Sequence, residues 1–102
     1  TMKKELIYLK TNSEGDILVK AYKFAEGLYI HKHYRGKGEF SDMNYWTITH
    51  KSGFCVKDFR YIPMRLKDVI LEAEKLLCLN WNLSADLVTN PEYGKIVREL
   101  HG

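Results

Sequence analysis

The sequence predicts an α+β domain: an antiparallel sheet of four to five strands, followed by helices packed on one face of it. Three observations carry that prediction. Apolar and polar residues alternate with period two through the first half of the chain, clusters of Gly, Asn and Ser interrupt the alternation, and after Pro63 the period lengthens to about 3.6.

Lys4–Lys10 and Asp16–Phe24 read as strands joined by Thr11-Asn12-Ser13-Glu14-Gly15, a run of turn formers that ends in a residue tolerant of positive φ. In the second strand Ile17, Val19 and Ala21 point one way while Lys20 and Tyr22 point the other, so one face is expected to be buried. After Glu26-Gly27, Leu28–Tyr34 forms a third strand in which Leu28 and Ile30 alternate with Tyr29, His31 and His33. Arg35–Asn44 carries Gly36 and Gly38 with little periodicity and reads as a loop. Tyr45–His50 and Phe54–Phe59 then make a second hairpin across Lys51-Ser52-Gly53, rich in the aromatic and β-branched residues that suit a pleated surface.

A helix is predicted over 64–78, with Leu66, Val69, Ile70, Ala73, Leu76 and Leu77 on one stripe and Lys67, Asp68, Glu72 and Lys75 opposite. Trp81 falls in a turn, and its indole is expected to plug the edge of the core. Ser84 is a candidate cap for a short helical turn through Val88. Asn90-Pro91 combines an N-cap residue with proline at the first helical position, and starts a helix over 91–100 whose inner stripe is Tyr93, Ile96, Val97 and Leu100.

At 102 residues, with 45% apolar and 28% charged residues, the chain suits one domain, expected over 2–102, with a core of its own. Thr1 before Met2 reads as an addition, so the natural chain is expected to begin at Met2. No apolar stretch follows the first lysines and the apolar runs are short, so neither a signal peptide nor a membrane span is expected and the cytoplasm is the expected location. Cys55 and Cys78 stand in apolar company, which argues against a disulfide and makes Cys55 a small buried core residue.

Chemistry-bearing clusters are sparse. His31-x-His33 puts two imidazoles on one strand face, but no carboxylate or second cysteine stands at ligand spacing, so no metal site and no cofactor is expected. His50 lies near Ser52 and Cys55, yet no orienting third group, phosphate-cradling loop or nucleophile elbow accompanies them. No catalytic residue is assigned, and the chain is expected not to be an enzyme.

Charge is more informative. The net charge is only +3, but the strand half is basic and the acids gather in the last third. A nucleic-acid-binding face is expected to form from Lys20, Lys23, Lys32, Arg35, Lys37 and Lys51 on phosphates, with Tyr22, Tyr29 and His33 stacking on bases. Lysines that solvate an exposed sheet face would give the same pattern. The expected partner is therefore DNA or RNA. The alternative is a host protein or a second copy bound by a protein-interaction module, and both monomer and homodimer are compatible with the sequence.

The stretch Tyr45-Trp46-Thr47-Ile48-Thr49-His50-Lys51-Ser52-Gly53-Phe54-Cys55-Val56, with the following helix and Trp81-Asn82, resembles small uncharacterised proteins carried by phages, plasmids and conjugative elements of low-GC Gram-positive bacteria. That resemblance covers roughly residues 28 to 100 and implies an accessory protein of a mobile element; it supplies no catalytic residue. More loosely, a hairpin-rich sheet followed by a helix is similar to the DNA-binding domains of certain plant transcription factors and of transposon integrases. This chain adds two strands and a terminal helix to that plan.

Overall fold

The computed structural model describes residues 2–82 and 88–100. Five strands form one antiparallel sheet: β1 (Lys4–Lys10), β2 (Asp16–Ala25), β3 (Leu28–Lys32), β6 (Trp46–His50) and β7 (Cys55–Asp58), in the order β1-β2-β3-β6-β7. Every strand of that sheet pairs with its neighbour in sequence, apart from an excursion between β3 and β6. The excursion is a small two-stranded hairpin, β4 (Tyr34–Gly36) and β5 (Glu39–Phe40), where the sequence reads as a loop. The third strand accordingly stops at Lys32 rather than Tyr34, and the chain leaves and re-enters at His33, whose amide donates to the Tyr45 carbonyl (2.8 Å) while its own carbonyl accepts from Ser41 (2.8 Å).

Helix α1 (Leu66–Glu74) passes directly into a 3-10 turn over Lys75–Cys78, so the predicted helix 64–78 is α-helical only in its first part. Asp68 lies in the first turn of α1, where the helix dipole favours an acid. Helix α2 (Pro91–Leu100) starts as its sequence predicts: the Asn90 side chain accepts from the Glu92 amide at 2.9 Å. Ser84, the candidate cap, lies outside the described residues.

The main core lies between the helices and one sheet face. Leu28, Ile30, Ile48, Val69, Ala73 and Leu76 are fully buried there, with Trp46, Phe59, Trp81 and Val97 closing its margins. Burying a residue of the size of Val69 or Leu76 contributes about 1.5–3 kcal/mol. Trp81 seals the edge as expected, its indole N–H donating to the Leu76 carbonyl at 2.7 Å. Leu77 and Ile96, placed by periodicity on the inner stripes, are exposed instead. The 3-10 turn rotates Leu77 outward, because its tighter winding advances each side chain further around the axis.

A second apolar cluster occupies the opposite sheet face: Ile7, Leu9, Val19, Ala21 and Tyr29, with Ile17 and Tyr34 packed against it. Pairing of Tyr22 with Ile30 and of Lys23 with Tyr29 assigns the faces. Tyr22 shares the helix-covered face with Ile30, whereas Val19, Ala21 and Tyr29 share the other. The central strands β3 and β6 are therefore buried on both sides. The sheet coils around this second cluster until the outer side of β1 meets the β6–β7 turn, where the Lys10 amide donates to the Gly53 carbonyl at 3.1 Å. Gly53 is required at that approach: its φ is +93°, and a Cβ there would lie 2.4 Å from the Tyr8 carbonyl oxygen.

Candidate functional site

Two surfaces of this architecture offer chemistry. The first is a groove of about 580 Å³ on the coiled side of the sheet, between the β1–β2 turn, the β4–β5 hairpin and β7. Its basic lining comes from Lys10, His33, Arg35 and Arg60. Two acids face it, and both are occupied. Asp58 pairs with His33 (Nδ1 to Oδ2, 3.2 Å), accepts from the Thr47 hydroxyl (3.3 Å) and from the Arg60 amide (3.0 Å). Glu14 accepts from the Tyr34 hydroxyl (2.9 Å) and the Lys37 amide (3.0 Å), which ties the β4–β5 hairpin to the β1–β2 turn. Lys10 is bridged to Asp16 at 3.0 Å, but the guanidinium of Arg35 has solvent in front of it. The groove can therefore present positive charge to an anionic ligand.

His31 and His50 are structural. His31 is buried, donates from Nδ1 to the Lys32 carbonyl (2.7 Å) and accepts at Nε2 from the Thr49 hydroxyl (2.7 Å), and burial holds its pKa below the usual value. His50, on the helix-covered face, donates from Nε2 to the Trp81 carbonyl (2.7 Å) and accepts at Nδ1 from the Ser52 amide (3.1 Å); burial lowers its pKa as well. Both rings are neutral, and neither has a nitrogen to spare for a metal. Among the described residues no group of three or more His, Cys, Asp or Glu could hold a metal ion.

Cys55, expected in the core, lines the groove with its side chain open to solvent; Cys78 is exposed too, and both are free thiols. The bulge between β6 and β7, opposite Thr49, turns Cys55 away from the main core. Desolvation by the surrounding strands nevertheless pushes the Cys55 thiol up to about 12. Accessibility and desolvation pull in opposite directions at this thiol, and desolvation decides its reactivity, because the thiolate is the attacking species.

The nine residues expected to form one nucleic-acid face are divided among several places. Tyr29 is buried in the second cluster, and Tyr22 packs against the main core beneath the ammonium group of Lys4 (4.9 Å). Lys20 projects from the helix-side face opposite Leu6. Lys23 sits between Glu26 (3.5 Å) and Glu5 (3.8 Å), whose charges, Glu26 foremost, raise its pKa. Lys32 lies over the Trp46 ring (4.8 Å) and donates to the Met43 carbonyl (2.7 Å), while Lys51 reaches Asn82 at another turn. Only His33, Arg35 and Lys37 share the groove side, joined there by Arg60, which the face did not include. Alternation along each strand is legible in the sequence, but the register that decides which faces coincide is not.

The second surface is the free edge of the sheet. The bond from the Lys23 amide to the Lys3 carbonyl (2.8 Å) sets the phase of the β1–β2 ladder, so the odd-numbered residues of β1 direct their main-chain groups at β2. Those of Lys4, Leu6 and Tyr8 point outward. Beside them Leu6 is 63% exposed, Tyr8 60% and, across the pair on β2, Leu18 55%, because the helices lie over β3, β6 and β7 and leave this end of the sheet bare. The opposite edge, β7, has 4 residues and is bulged, two devices that discourage strand addition. β1 has neither protection in its middle. The run Leu6-Ile7-Tyr8-Leu9, apolar on both faces, is the signal in the sequence that could have marked it.

No family model matches the chain, and no curated protein or solved structure matches it either. Among the described residues no helix is long and apolar enough to cross a membrane.

Proposed function

We propose that this chain is a non-enzymatic protein-interaction module that receives a partner strand at the outer edge of β1, in the setting of a mobile-element accessory protein that its sequence resemblance implies. One observation carries this reading. The outward main-chain groups of Leu6 and the outward amide of Tyr8 stand beside exposed Leu6, Tyr8 and Leu18, so a single edge offers both hydrogen bonds and apolar contact. Strand addition uses that pair of features: the ladder supplies affinity and alternate side chains supply selectivity. An apolar edge of this kind, left bare, would invite indiscriminate association. A photoreactive phenylalanine analogue in place of Tyr8 should trap protein adducts in cells, while the same analogue in place of exposed Lys67 on α1 should not. Position 8 giving no more protein adducts than position 67 would refute the reading.

The groove favours a second reading, in which the chain binds DNA or RNA. The supporting observation is that both groove acids are engaged by the protein's own donors, the Arg60 guanidinium among them at 4.0 Å from Asp58, which leaves Arg35 and Lys37 as available cations. Contacts of this type weaken as salt rises, because each neutralised phosphate releases a counterion. A mobility shift in low salt with single-stranded DNA, duplex DNA and RNA tests it. A complex lost in the Arg35→Glu, Lys37→Glu double variant supports the reading, and no complex with any of the three ends it.

A further inference from the structure

The chemistry of β1 also identifies which strand it takes. Only the outward groups of Lys4 and Leu6 and the amide of Tyr8 are available, since the outward amide of Lys10 is bonded to the Gly53 carbonyl and Gly53 packs against the Tyr8 carbonyl. A second copy of β1, antiparallel across a two-fold axis, can dock only where outward residues face outward residues. An axis at Lys4 sets Lys4 against itself, one at Glu5 sets Glu5 against itself, and one at Ile7 sets Lys4 against Lys10. An axis at Tyr8 needs the groups that Gly53 covers. Like charges directly opposite one another destabilise a ladder, which disfavours the first three.

The axis at Leu6 has none of these faults. Leu6 meets Leu6 of the copy, Lys4 meets Tyr8, and Glu5 meets Ile7, so no like charges are opposed. The Leu6 amides and carbonyls pair reciprocally, the Tyr8 amide donates to the Lys4 carbonyl of the copy, and the Tyr8 carbonyl stays with Gly53. Lys4 already lies over an aromatic ring, that of Tyr22, within its own subunit; in this register its stem also crosses Tyr8 of the copy. The paired segment ends at Lys4 and Tyr8, where the β6–β7 turn of each subunit closes the edge.

We infer that β1 pairs with β1 of a second copy in this register, joining two five-stranded sheets into one continuous sheet across a two-fold axis. The inference rests on the reading of β1 as a strand-receiving edge, and it names the occupant.

Sedimentation of the whole chain over the micromolar range should give twice the 12.0 kDa chain mass. Leu6→Lys, which opposes two lysines at the axis, and Tyr8→Lys should each return the mass to that of one chain with an unchanged circular dichroism spectrum. For the register, Leu6→Cys in a Cys55→Ser, Cys78→Ser background should be joined by a short bismaleimide, because paired Cα atoms are about 5.5 Å apart. Lys4→Cys should not be joined, because four residues of offset separate the two sites by roughly 13 Å. A single-chain mass at every concentration, or equal linking of Lys4→Cys and Leu6→Cys, overturns the inference. Should the chain prove monomeric while the analogue at Tyr8 still traps a different protein, the self-pairing fails and the strand-receiving edge stands. If neither is seen, both fail.

Discussion

Replacing Gly27 by alanine tests how the end of the chain is seated against the sheet. Gly27 joins β2 to β3 with φ +85°, and a Cβ there would lie 2.3 Å from the Trp81 carbonyl oxygen. That same oxygen accepts the proton of His50 Nε2. Left-handed backbone costs a non-glycine residue about 1–2 kcal/mol. Moving the Trp81 segment aside adds about 1–3 kcal/mol as overpacking, and loosening the His50 bond adds about 1 kcal/mol. The expected loss is about 3–6 kcal/mol, which for a domain of this size lowers the Tm by on the order of 15–30 °C. Gly15→Ala is the matched control: its φ is +71°, yet nothing lies within 4 Å of the added methyl, so it should cost only the backbone contribution. Urea unfolding followed by tryptophan fluorescence measures both variants. If Gly27→Ala costs no more than Gly15→Ala, Trp81 is not seated on that turn and the account of the core margin is wrong.

Three further outcomes are expected. His31 and His50 have folded pKa values held below the ordinary value of about 6.5, so the unfolded chain takes up protons first: the stability due to these neutral rings is full above about pH 6.5 and falls as pH drops toward the folded values. Urea unfolding at pH 7.5 and 5.5 should show that loss, at up to about 1.4 kcal/mol per pH unit for each histidine, and His31→Gln should flatten the profile; a profile as steep in the variant contradicts the assignment. Cys55, open to solvent but with its thiol pushed up to about 12, should react with iodoacetamide at pH 8 about fiftyfold more slowly than an ordinary thiol, the scarcity of thiolate being partly offset by its greater nucleophilicity. An ordinary rate, read by peptide mass, counts against the desolvated groove. Glu14→Ala should release the β4–β5 hairpin and cost about 1 kcal/mol, seen as faster exchange of the Lys37 amide; unchanged exchange means the clasp does not hold the hairpin.

The fold class was legible because each of its signals is local. Alternation in Asp16–Phe24, the Lys51-Ser52-Gly53 turn and the Asn90-Pro91 helix start all act within a few residues, and all appear in the structure. The β4–β5 hairpin was not legible, since what fixes it is Glu14 of the β1–β2 turn, which bonds the Tyr34 hydroxyl and the Lys37 amide, 20 and 23 residues away in sequence. The candidate surface was misread for a related reason. Tyr22 and Tyr29 each alternate with apolar neighbours, and nothing within either strand states that Tyr22 stands opposite Ile30 rather than Tyr29. A sheet that is buried on both faces at its centre defeats the assumption that the residues opposite the apolar face meet solvent. Asp58 and Arg60 fall outside the expected face because their place in the site depends on a groove that exists only once the sheet has coiled.

Strand order follows chain order in the five-stranded sheet, which bears on how the protein is made. Each strand emerging from a ribosome finds its neighbour already present, so pairing can proceed by short loop closures of the kind that favour rapid folding. The helices are synthesised after the whole of the sheet. Until they arrive Leu28, Ile30, Trp46 and Ile48 have no cover, and a nascent chain stalled before Leu66 would display this face to chaperones and to other nascent chains.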